Sequence, residues 1–401
     1  MTIYAHIIKD NPVQHWGLTP RQRILRLLAS AGVTDIVDDI ASIPASGSVI
    51  LLRGDYLFDD RVVNYLVDSP DMMLQVPQER NHRIVAVRVG AHLAGQAADI
   101  IGGTVNDRSL PGVKTETLET LSISFQQRLL KFEPPFVLPV TAENKPNLER
   151  RLFDASYKGV TDLVTKWVWP HPARWAVGQC VRLGLRPNHV TIIGMMLVII
   201  AGFFFVRGWY GWGLLAGWLM TFLDTVDGKL ARVTVTSSRF GHYFDHIIDL
   251  VHPPIWYALW GAGLGTASLA GTGIAVSQAA WVIFIAYTVG RLVEGSFQWT
   301  LGRFGIFCWR PLDSYFRLIT ARRNPNMIFL TMGFLGGRPD LGLLAVALWT
   351  IATTLFLLVR LAQAGYVNAR RGPLRSWLKD VNQPPYKGSL AVRLFTHQSE
   401  G

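Results

Sequence analysis

The chain has 401 residues, two cysteines and a formal net charge of +11. Cys180 and Cys308 are too few and too distant in sequence for a disulfide framework or a cysteine-based metal site. Apolar runs between residues 188 and 365 approach the ~20 residues that cross a bilayer, which excludes a wholly soluble protein.

The excess of positive charge suits either a nucleic acid or a membrane surface rich in anionic lipid. Many of the basic residues lie beside the apolar runs: Arg182, Arg186, Arg317, Arg322, Arg323, Arg370, Arg371, Arg375 and Lys379. This placement favours the membrane surface, so we expect no nucleic-acid partner.

Residues 1–145 alternate between strand-like and helical patterns. An apolar start at Ile3–Ile8 precedes a helical pattern from Pro20, which Gly32 ends. Further strand-like runs occur at Val49–Leu52, Met72–Val76 and Ile84–Val89. Strands that alternate with helices predict a parallel sheet covered by helices, here a cytosolic, Rossmann-like α/β domain.

Residues 146–187 form a predicted linker. Within it, Ala173–Leu185 has an amphipathic helical pattern that carries Arg174, Trp175 and Arg182. This segment is either a helix lying on the membrane surface or an ordinary linker helix, and the pattern does not distinguish the two.

Residues 188–368 are predicted to form an all-α, polytopic membrane domain, followed by a basic cytosolic tail, 369–401. We expect six transmembrane helices, at roughly 188–207, 209–231, 240–263, 274–297, 325–338 and 341–365. Gly263–Val276 contains no Lys or Arg and is predicted to lie outside, whereas the basic loops face the cytosol. An even number of spans then places both termini inside.

Four aspartates follow a regular spacing around the second and third predicted helices. The sequence reads Asp224-Thr-Val-Asp227-Gly228-Lys-Leu-Ala231-Arg232, then eight residues, then Gly241-His-Tyr-Phe-Asp245-His-Ile-Ile-Asp249. Separations of three and four residues place each acidic pair on one helix face, and the short link lets the two faces meet. Four converging carboxylates repel one another unless cations neutralise them, and hard oxygen ligands suit Mg²⁺ or Mn²⁺.

Internal salt bridges are the alternative explanation for these acids. Lys229 and Arg232 are near enough in sequence to pair with one or two of the four. Two bases leave part of the acidic charge uncompensated, and acids within membranes are usually functional, so we favour a metal site.

The aspartate run resembles, at every fixed position, the pattern D-x2-D-G-x2-A-R-x8-G-x3-D-x3-D of CDP-alcohol phosphotransferases. Pro187-Asn188-His189-Val190-Thr191 also looks like that family's entry to its first membrane helix. The resemblance covers about residues 150–370. It implies six membrane helices, a homodimer, and transfer of a substituted phosphate from a CDP-linked donor to an alcohol acceptor with loss of CMP.

The resemblance also implies roles for individual residues. Asp224, Asp227, Asp245 and Asp249 would hold a binuclear Mg²⁺ or Mn²⁺ site, with Asp249 also the general base on the acceptor hydroxyl. The CDP pocket would be lined by Asn188, Thr191, Asp224, Gly228, Ala231, Arg232 and Gly241.

Candidate acceptor residues are His246, Arg291 and Arg323. The Asp245-His246 pair resembles the choline and ethanolamine phosphotransferase branch. Arg291 lies in an apolar helix three residues before Glu294, so an internal ion pair is one explanation. The other is that Arg291, with Arg322 and Arg323, binds an anionic acceptor, because guanidinium groups suit phosphate geometry.

The N-terminal domain resembles a sugar nucleotidyltransferase through Leu52-Arg53-Gly54-Asp55, which looks like that family's strand ending in a metal-binding aspartate. The family's glycine-rich phosphate loop and its lysine are absent, since Gly17 stands alone. Without that loop no run of backbone N–H groups can hold a nucleoside triphosphate. We therefore expect a degenerate, regulatory or docking domain.

These features lead to one main functional hypothesis and two rivals. The main one is a multi-pass enzyme of a bacterial-type inner or plasma membrane that transfers a phosphatidyl-type group from a CDP-linked lipid to a polar alcohol, such as inositol or glycerol phosphate. The first rival transfers a CDP-linked headgroup to a diacylglycerol or ceramide-like alcohol. The second is a non-catalytic membrane scaffold.

Overall fold

The computed structural model describes residues 2–78, 81–105, 109–121, 125–126, 129–237, 239–265, 268–269 and 271–396, without the side chains of residues 81, 125 and 239–246. The described chain forms two compact units. The first comprises Met1–Gln126, Glu133–Ser156 and Arg232–Thr236, and the second Gln127–Phe132, Tyr157–Ala231 and Ser237–Gly401.

The first unit is an α/β domain. Its strands are β1 (Ile3–Ile8), β2 (Asp35–Ile36), β3 (Ser48–Arg53), β4 (Tyr56–Phe58), β5 (Met72–Gln78), β6 (Asn81–Gly90), β7 (Lys114–Thr117), β8 (Phe125–Gln126) and β10 (Val137–Pro139). Its helices are α1 (Pro20–Ser30), α2 (Asp60–Asp68), α3 (Ala94–Gly102) and α4 (Lys145–Ala155). A further short strand, β9 (Lys131–Phe132), belongs to the second unit.

Six of the strands form a sheet in the order β2-β1-β3-β6-β5-β7. β1 is parallel to β2 and β3, and β5 is parallel to β7, but β6 is antiparallel to both β3 and β5. The expectation of a parallel sheet is therefore wrong at its centre. β5 ends at Gln78 and β6 begins at Asn81, which leaves no room for the dozen or so residues that a parallel crossover needs.

Local sequence explains the elements beside the sheet. Thr19 caps α1 in a capping box with Gln22, and Pro20 occupies the first helical turn. Gly32, with a φ of +88°, follows the last turn as expected of a left-handed terminator. All six residues of β3 are buried, because helices and loops cover both faces of this central strand.

The second unit is almost entirely helical. Its helices are α5 (Pro170–Arg182), α6 (Pro187–Val206), α7 (Tyr210–Val233), α8 (Arg239–Gly263), α9 (Val276–Ser296), α10 (Pro311–Ile319), α11 (Arg323–Leu335), α12 (Pro339–Arg371) and α13 (Leu390–Phe395). The last residues of α7, from Arg232, are grouped with the first unit.

Among the described residues, three helical segments are long and apolar enough to cross a membrane: Pro187–Val206, Val276–Gly302 and Pro339–Arg371. α7 and α8 carry the charged motif, and α11 has only 13 residues. The prediction of a membrane protein with a helical domain is supported. The count of six spans stays a prediction, although a helix lies over each of the six proposed ranges.

Tight contacts hold the helical core together. Phe205, Trp256, Trp260 and Met327 are fully buried in one apolar cluster. Many other apolar residues of these helices, such as Ile199 at 65%, are exposed, as expected where lipid replaces water.

The two predicted peripheral segments are both structured. α5 covers most of the predicted amphipathic helix, and its Trp175 is 68% exposed. In the predicted tail, Trp377 is buried and donates from Nε1 to Ser314 Oγ at 2.9 Å. Ser376 Oγ donates to the Cys308 carbonyl at 2.7 Å. The first part of the tail therefore packs against the second unit.

Candidate functional site

The helical unit positions the acidic motif on two helices. Asp224 and Asp227 lie near the end of α7, and Asp245 and Asp249 lie in the first half of α8. The side chains of Asp245 and His246 and the surroundings of Gly241 fall outside the described part of the chain. The site is therefore described through the other acids of the motif.

Arg323, the first residue of α11, bridges two of these acids. Its Nη2 donates to Asp224 Oδ2 and its Nη1 to Asp249 Oδ1, both at 2.5 Å. Nη1 also lies 3.6 Å from Met220 Sδ. The carboxylates of α7 and α8 thus face a common centre, and a base from a distant helix compensates part of their charge.

The sequence suggested Lys229 and Arg232, not Arg323, as partners for the acids. Lys229 is buried, and its Nζ lies 3.4 Å from the centre of the Tyr157 ring. Arg232 lies in the last turn of α7. Arg323 stands 74 residues after Asp249, so the spacing of the motif gave no indication of this pairing.

Asp227 is held from a third helix. Thr191 Oγ1, on α6, donates to Asp227 Oδ2 at 2.7 Å and lies 3.1 Å from the Pro187 carbonyl. Asp227 is 6% exposed, and its charge is repelled by those of Asp224 and Asp249. The α6 entry residue predicted to support the CDP pocket therefore contacts the acidic motif directly.

The other predicted CDP-pocket residues occupy the same helices. Gly228 and Ala231 follow Asp227 on α7 and are half-buried, whereas Asn188 is exposed at the start of α6. These positions place an exposed amide and two small residues near the motif. Their contacts with a nucleotide remain a prediction.

The donor chemistry of the site fits a hard divalent cation. Asp224, Asp227 and Asp249 offer only carboxylate oxygens, which Mg²⁺ and Mn²⁺ prefer. Within the described side chains, which leave out Asp245, no three acids already surround a single point. The guanidinium of Arg323 lies between two of them instead.

A second basic cluster lies next to the acids. Arg291 and Arg322 both form ion pairs with Glu294. The Arg291 guanidinium lies 5.3 Å from the Tyr287 ring centre, and Tyr287 Oη donates to the Asp249 carbonyl at 3.3 Å. Of the two explanations for Arg291, the ion pair is present, but one carboxylate serves two arginines.

The sequence analysis did not identify two candidate functional residues, Asp162 and Asn324. Asp162 accepts a hydrogen bond from Asn324 Nδ2 at 2.9 Å, and Asn324 directly follows Arg323. The local signal was a single charged residue in the otherwise uncharged stretch 159–164, which no motif connects with residue 324.

Part of the chain is similar in sequence to known proteins. Residues 185–304 match the model of the CDP-alcohol phosphatidyltransferase family. The chain is 37% identical over 89 residues to a phosphatidylinositol phosphate synthase of Streptomyces avermitilis, covering 21% of this chain and 36% of that protein. It is 39% identical over 71 residues to an archaetidylinositol phosphate synthase of Pyrococcus horikoshii, covering 17% and 36%.

A eukaryotic enzyme is also similar. The chain is 30% identical over 124 residues to cholinephosphotransferase 1 of Xenopus laevis, covering 28% of this chain and 30% of that protein. The matched part thus spans about a third of each of these relatives. The similarity to the CDP-alcohol phosphatidyltransferase family thus covers residues 185–304, less than half of the chain.

Proposed function

We propose that the protein is an integral-membrane CDP-alcohol phosphotransferase of phospholipid synthesis. It transfers a phosphatidyl-type group from a CDP-linked lipid to a polar alcohol, and CMP is released. The observation that carries the proposal is that Arg323 joins Asp224 and Asp249 beside a cluster of arginines, with Asp227 close enough for its charge to interact with theirs.

The basic cluster favours an acceptor that itself carries a phosphate, such as inositol phosphate or glycerol phosphate. Glu294 balances only one of the charges of Arg291 and Arg322, and the charge of half-buried Arg317 is repelled by both of these arginines. A guanidinium cluster with excess positive charge binds phosphate well. The name of the two inositol-phosphate relatives agrees with this acceptor class.

Asp224, Asp227, Asp245 and Asp249 would hold Mg²⁺ or Mn²⁺, in a binuclear site as the family resemblance implies. When bound, such a cation offsets the charge that develops on the pyrophosphate during transfer. Thr191 would keep Asp227 in place, because its hydroxyl already donates to that carboxylate.

The chain's own residues account for the rest of the reaction. Arg323 and the neighbouring arginines orient the phosphates of donor and acceptor, and Asp249 takes the proton of the acceptor hydroxyl. The hydroxyl oxygen then forms a bond to the phosphorus on the lipid side of the pyrophosphate. The bond from that phosphorus to the bridging oxygen breaks, and CMP leaves with the electron pair.

A second candidate transfers a CDP-linked headgroup, such as phosphocholine, to a diacylglycerol or ceramide-like alcohol. Its support is the similarity to cholinephosphotransferase 1 and the Asp245-His246 pair. The arginine cluster makes it the weaker candidate, because a neutral lipid alcohol gives those charges no partner.

The proposal includes an arrangement in the membrane. Six helices, α6 to α9, α11 and α12, cross it, both termini and the acidic motif lie in the cytosol, and two copies form a homodimer. Reporter fusions at each loop test the arrangement, and a reporter after Gly263 that is active only outside the cytosol is the expected result.

The purified full-length protein, with Mg²⁺, is tested with CDP-diacylglycerol or CDP-choline as donor. Inositol phosphate, glycerol phosphate and diacylglycerol are offered in turn as acceptors. We expect CMP and a phosphatidyl product from CDP-diacylglycerol with a phosphorylated polyol. Phosphocholine transfer to diacylglycerol would support the second candidate. If no pair of donor and acceptor released CMP, the result would support the remaining hypothesis, a non-catalytic membrane scaffold.

A further inference from the structure

Asp162 is a buried carboxylate outside both the aspartate motif and the matched family region. It is 7% exposed. Its Oδ1 accepts from the backbone N–H groups of Val164 and Thr165 at 3.1 and 3.0 Å, and its Oδ2 accepts from Thr165 Oγ1 at 2.9 Å. These bonds fix the carboxylate within its own segment.

Asp162 contacts α11 through Asn324. Asn324 Nδ2 donates to Asp162 Oδ1 at 2.9 Å, and the amide is 5% exposed. α11 begins without a side-chain cap of its own, because Arg322 at the cap position provides none. The bond from Asn324 to Asp162 therefore anchors this helix start from outside.

The anchored turn carries the residues that face the acids. Arg323 precedes Asn324 and contacts Asp224 and Asp249, while Arg322 pairs with Glu294. Consecutive residues of one helical turn move together, so a shift of Asn324 would displace both guanidinium groups.

The charge of Asp162 suits this task. Burial raises the pKa of its carboxyl, but the Arg317 charge and the hydrogen bonds from Thr165 and Asn324 lower it further, so the net pKa is below the ordinary value. An ionised carboxylate is a stronger acceptor for the Asn324 amide than a neutral one.

We propose that Asp162 is a positioning residue: through Asn324 it holds Arg322 and Arg323 where they meet the phosphate of the acceptor. The inference rests on the proposed function. Asp162 does not touch the substrate, so its loss should raise KM for the acceptor more than it lowers kcat.

The test is a double-mutant cycle on the full-length protein, with Asp162→Ala, Asn324→Ala and the double variant. Each single change should raise the acceptor KM about tenfold, the effect of one misdirected charged hydrogen bond, with kcat nearly unchanged. Asn324→Ala also loses the 3.2 Å bond from Nδ2 to Thr165 Oγ1. The double variant should therefore be no worse than Asn324→Ala, because both single changes break the link between Asp162 and Asn324. Asp340→Asn, in the exposed pair with Arg338, is the matched control.

Multiplied effects in the double variant, or a lower melting temperature with an unchanged KM, would overturn the inference. Should Asp162→Ala not fold, Asp162→Ser replaces it, since a serine hydroxyl can still bond Thr165 but is too short for Asn324.

A second readout separates this inference from the proposed function. Inorganic phosphate and inositol phosphate should each raise the melting temperature of the wild-type protein, and Asp162→Ala should need about tenfold more of either for the same rise. This holds even if no donor releases CMP, a result that would contradict the proposed function alone. Equal phosphate responses in the two proteins would refute the positioning role.

Discussion

Arg323 carries one positive charge between two carboxylates from different helices. Because its two Nη atoms reach Asp224 and Asp249 separately, the guanidinium fixes the distance between α7 and α8 at the motif. A lysine could not bridge both in the same way, since its charge sits on one atom. The site thus combines acids set by local spacing with a base that only the tertiary fold supplies.

Asp249 is the residue on which the proposed chemistry depends most. Asp249→Asn keeps an oxygen that can accept from Arg323 but cannot take a proton, so we expect a folded protein whose turnover falls by about 10²–10⁴-fold. CMP release is measured at saturating donor and acceptor, with the melting temperature as the control for folding. Turnover within tenfold of the wild type would exclude Asp249 as the base.

His15 gives the first unit a sensitivity to acid. Burial, with the charges of Lys145 and Arg23, lowers the pKa of its ring to about 4, and the backbone of Val13 opposes this shift only in part. The unfolded chain therefore binds a proton that the folded chain does not between pH 6.5 and 4. The contribution of neutral His15 to the free energy of unfolding is fully present above pH 6.5 and is lost as the pH falls towards 4.

His15→Leu should remove this dependence. When the pH is lowered from 7 to 4.5, the melting temperature of the variant should fall less than that of the wild type, by on the order of 5 °C. The exposed His92, changed to Gln, is the control and should follow the wild type. An identical pH response of His15→Leu and the wild type would contradict the prediction.

At the scale of elements, glycines determine how closely the helices approach. A Cβ on Gly333 of α11 would lie 2.6 Å from Gly342 Cα of α12, and one on Gly263 of α8 would lie 2.0 Å from the Phe205 carbonyl oxygen of α6. Both distances are below van der Waals contact, and both neighbours are backbone atoms that cannot rotate away. These helix pairs can pack as they do only because the residues lack side chains.

Gly333→Ala should therefore cost about 1–3 kcal/mol of stability, the usual range for overpacking. Gly365, on α12, has no atom near the position of its Cβ, and Gly365→Ala should be neutral or stabilise by up to ~1 kcal/mol. Thermal unfolding in the same detergent compares the two. A smaller loss for Gly333→Ala than for Gly365→Ala would show that the helices separate readily at this point.

Helical periodicity and apolar length predicted where the elements lie, because both are local properties of the sequence. α1 begins at the predicted Pro20, and helices lie over the ranges expected from 188 to 365. Sheet direction and side-chain partners depend on contacts between distant residues. The antiparallel pairing of β6 with β5 follows from their short connection and was open to prediction, whereas the pairing of β6 with β3 and the bonds of Arg323 and Asp162 were not.

At the scale of the whole molecule, the chain joins a mixed α/β unit to a helical unit. Residues Arg232–Thr236, which end α7 and begin the connection to α8, are grouped with the first unit. There, Arg23 Nη1 donates to the Val233 carbonyl at 2.7 Å and Arg26 Nη1 to the Thr234 carbonyl at 2.6 Å. Both arginines lie on α1, so these two bonds join α1 to residues 233 and 234 within the first unit.

The loop after β1 argues against nucleotide chemistry in the first unit. A nucleotidyltransferase would bind the triphosphate there, but Trp16 packs against Phe153 with ring centres 5.9 Å apart and donates from Nε1 to the Glu149 carbonyl at 2.9 Å. The candidate metal ligand Asp55 forms a two-point ion pair with Arg53. Because side chains of the first unit pack against this loop, we keep the prediction of a degenerate domain.

We therefore expect the full-length protein to release no pyrophosphate from CTP with inositol phosphate or a sugar phosphate, while its CMP release from a CDP-linked lipid proceeds. Pyrophosphate and CMP are measured in parallel on one preparation, so that the lipid reaction serves as the control for an active protein. Asp55→Asn should leave both measurements unchanged, because Asp55 is assigned no role in transfer. CTP-dependent pyrophosphate release that Asp55→Asn abolishes would make the first unit an active nucleotidyltransferase, one whose product supplies the acceptor or donor of the second.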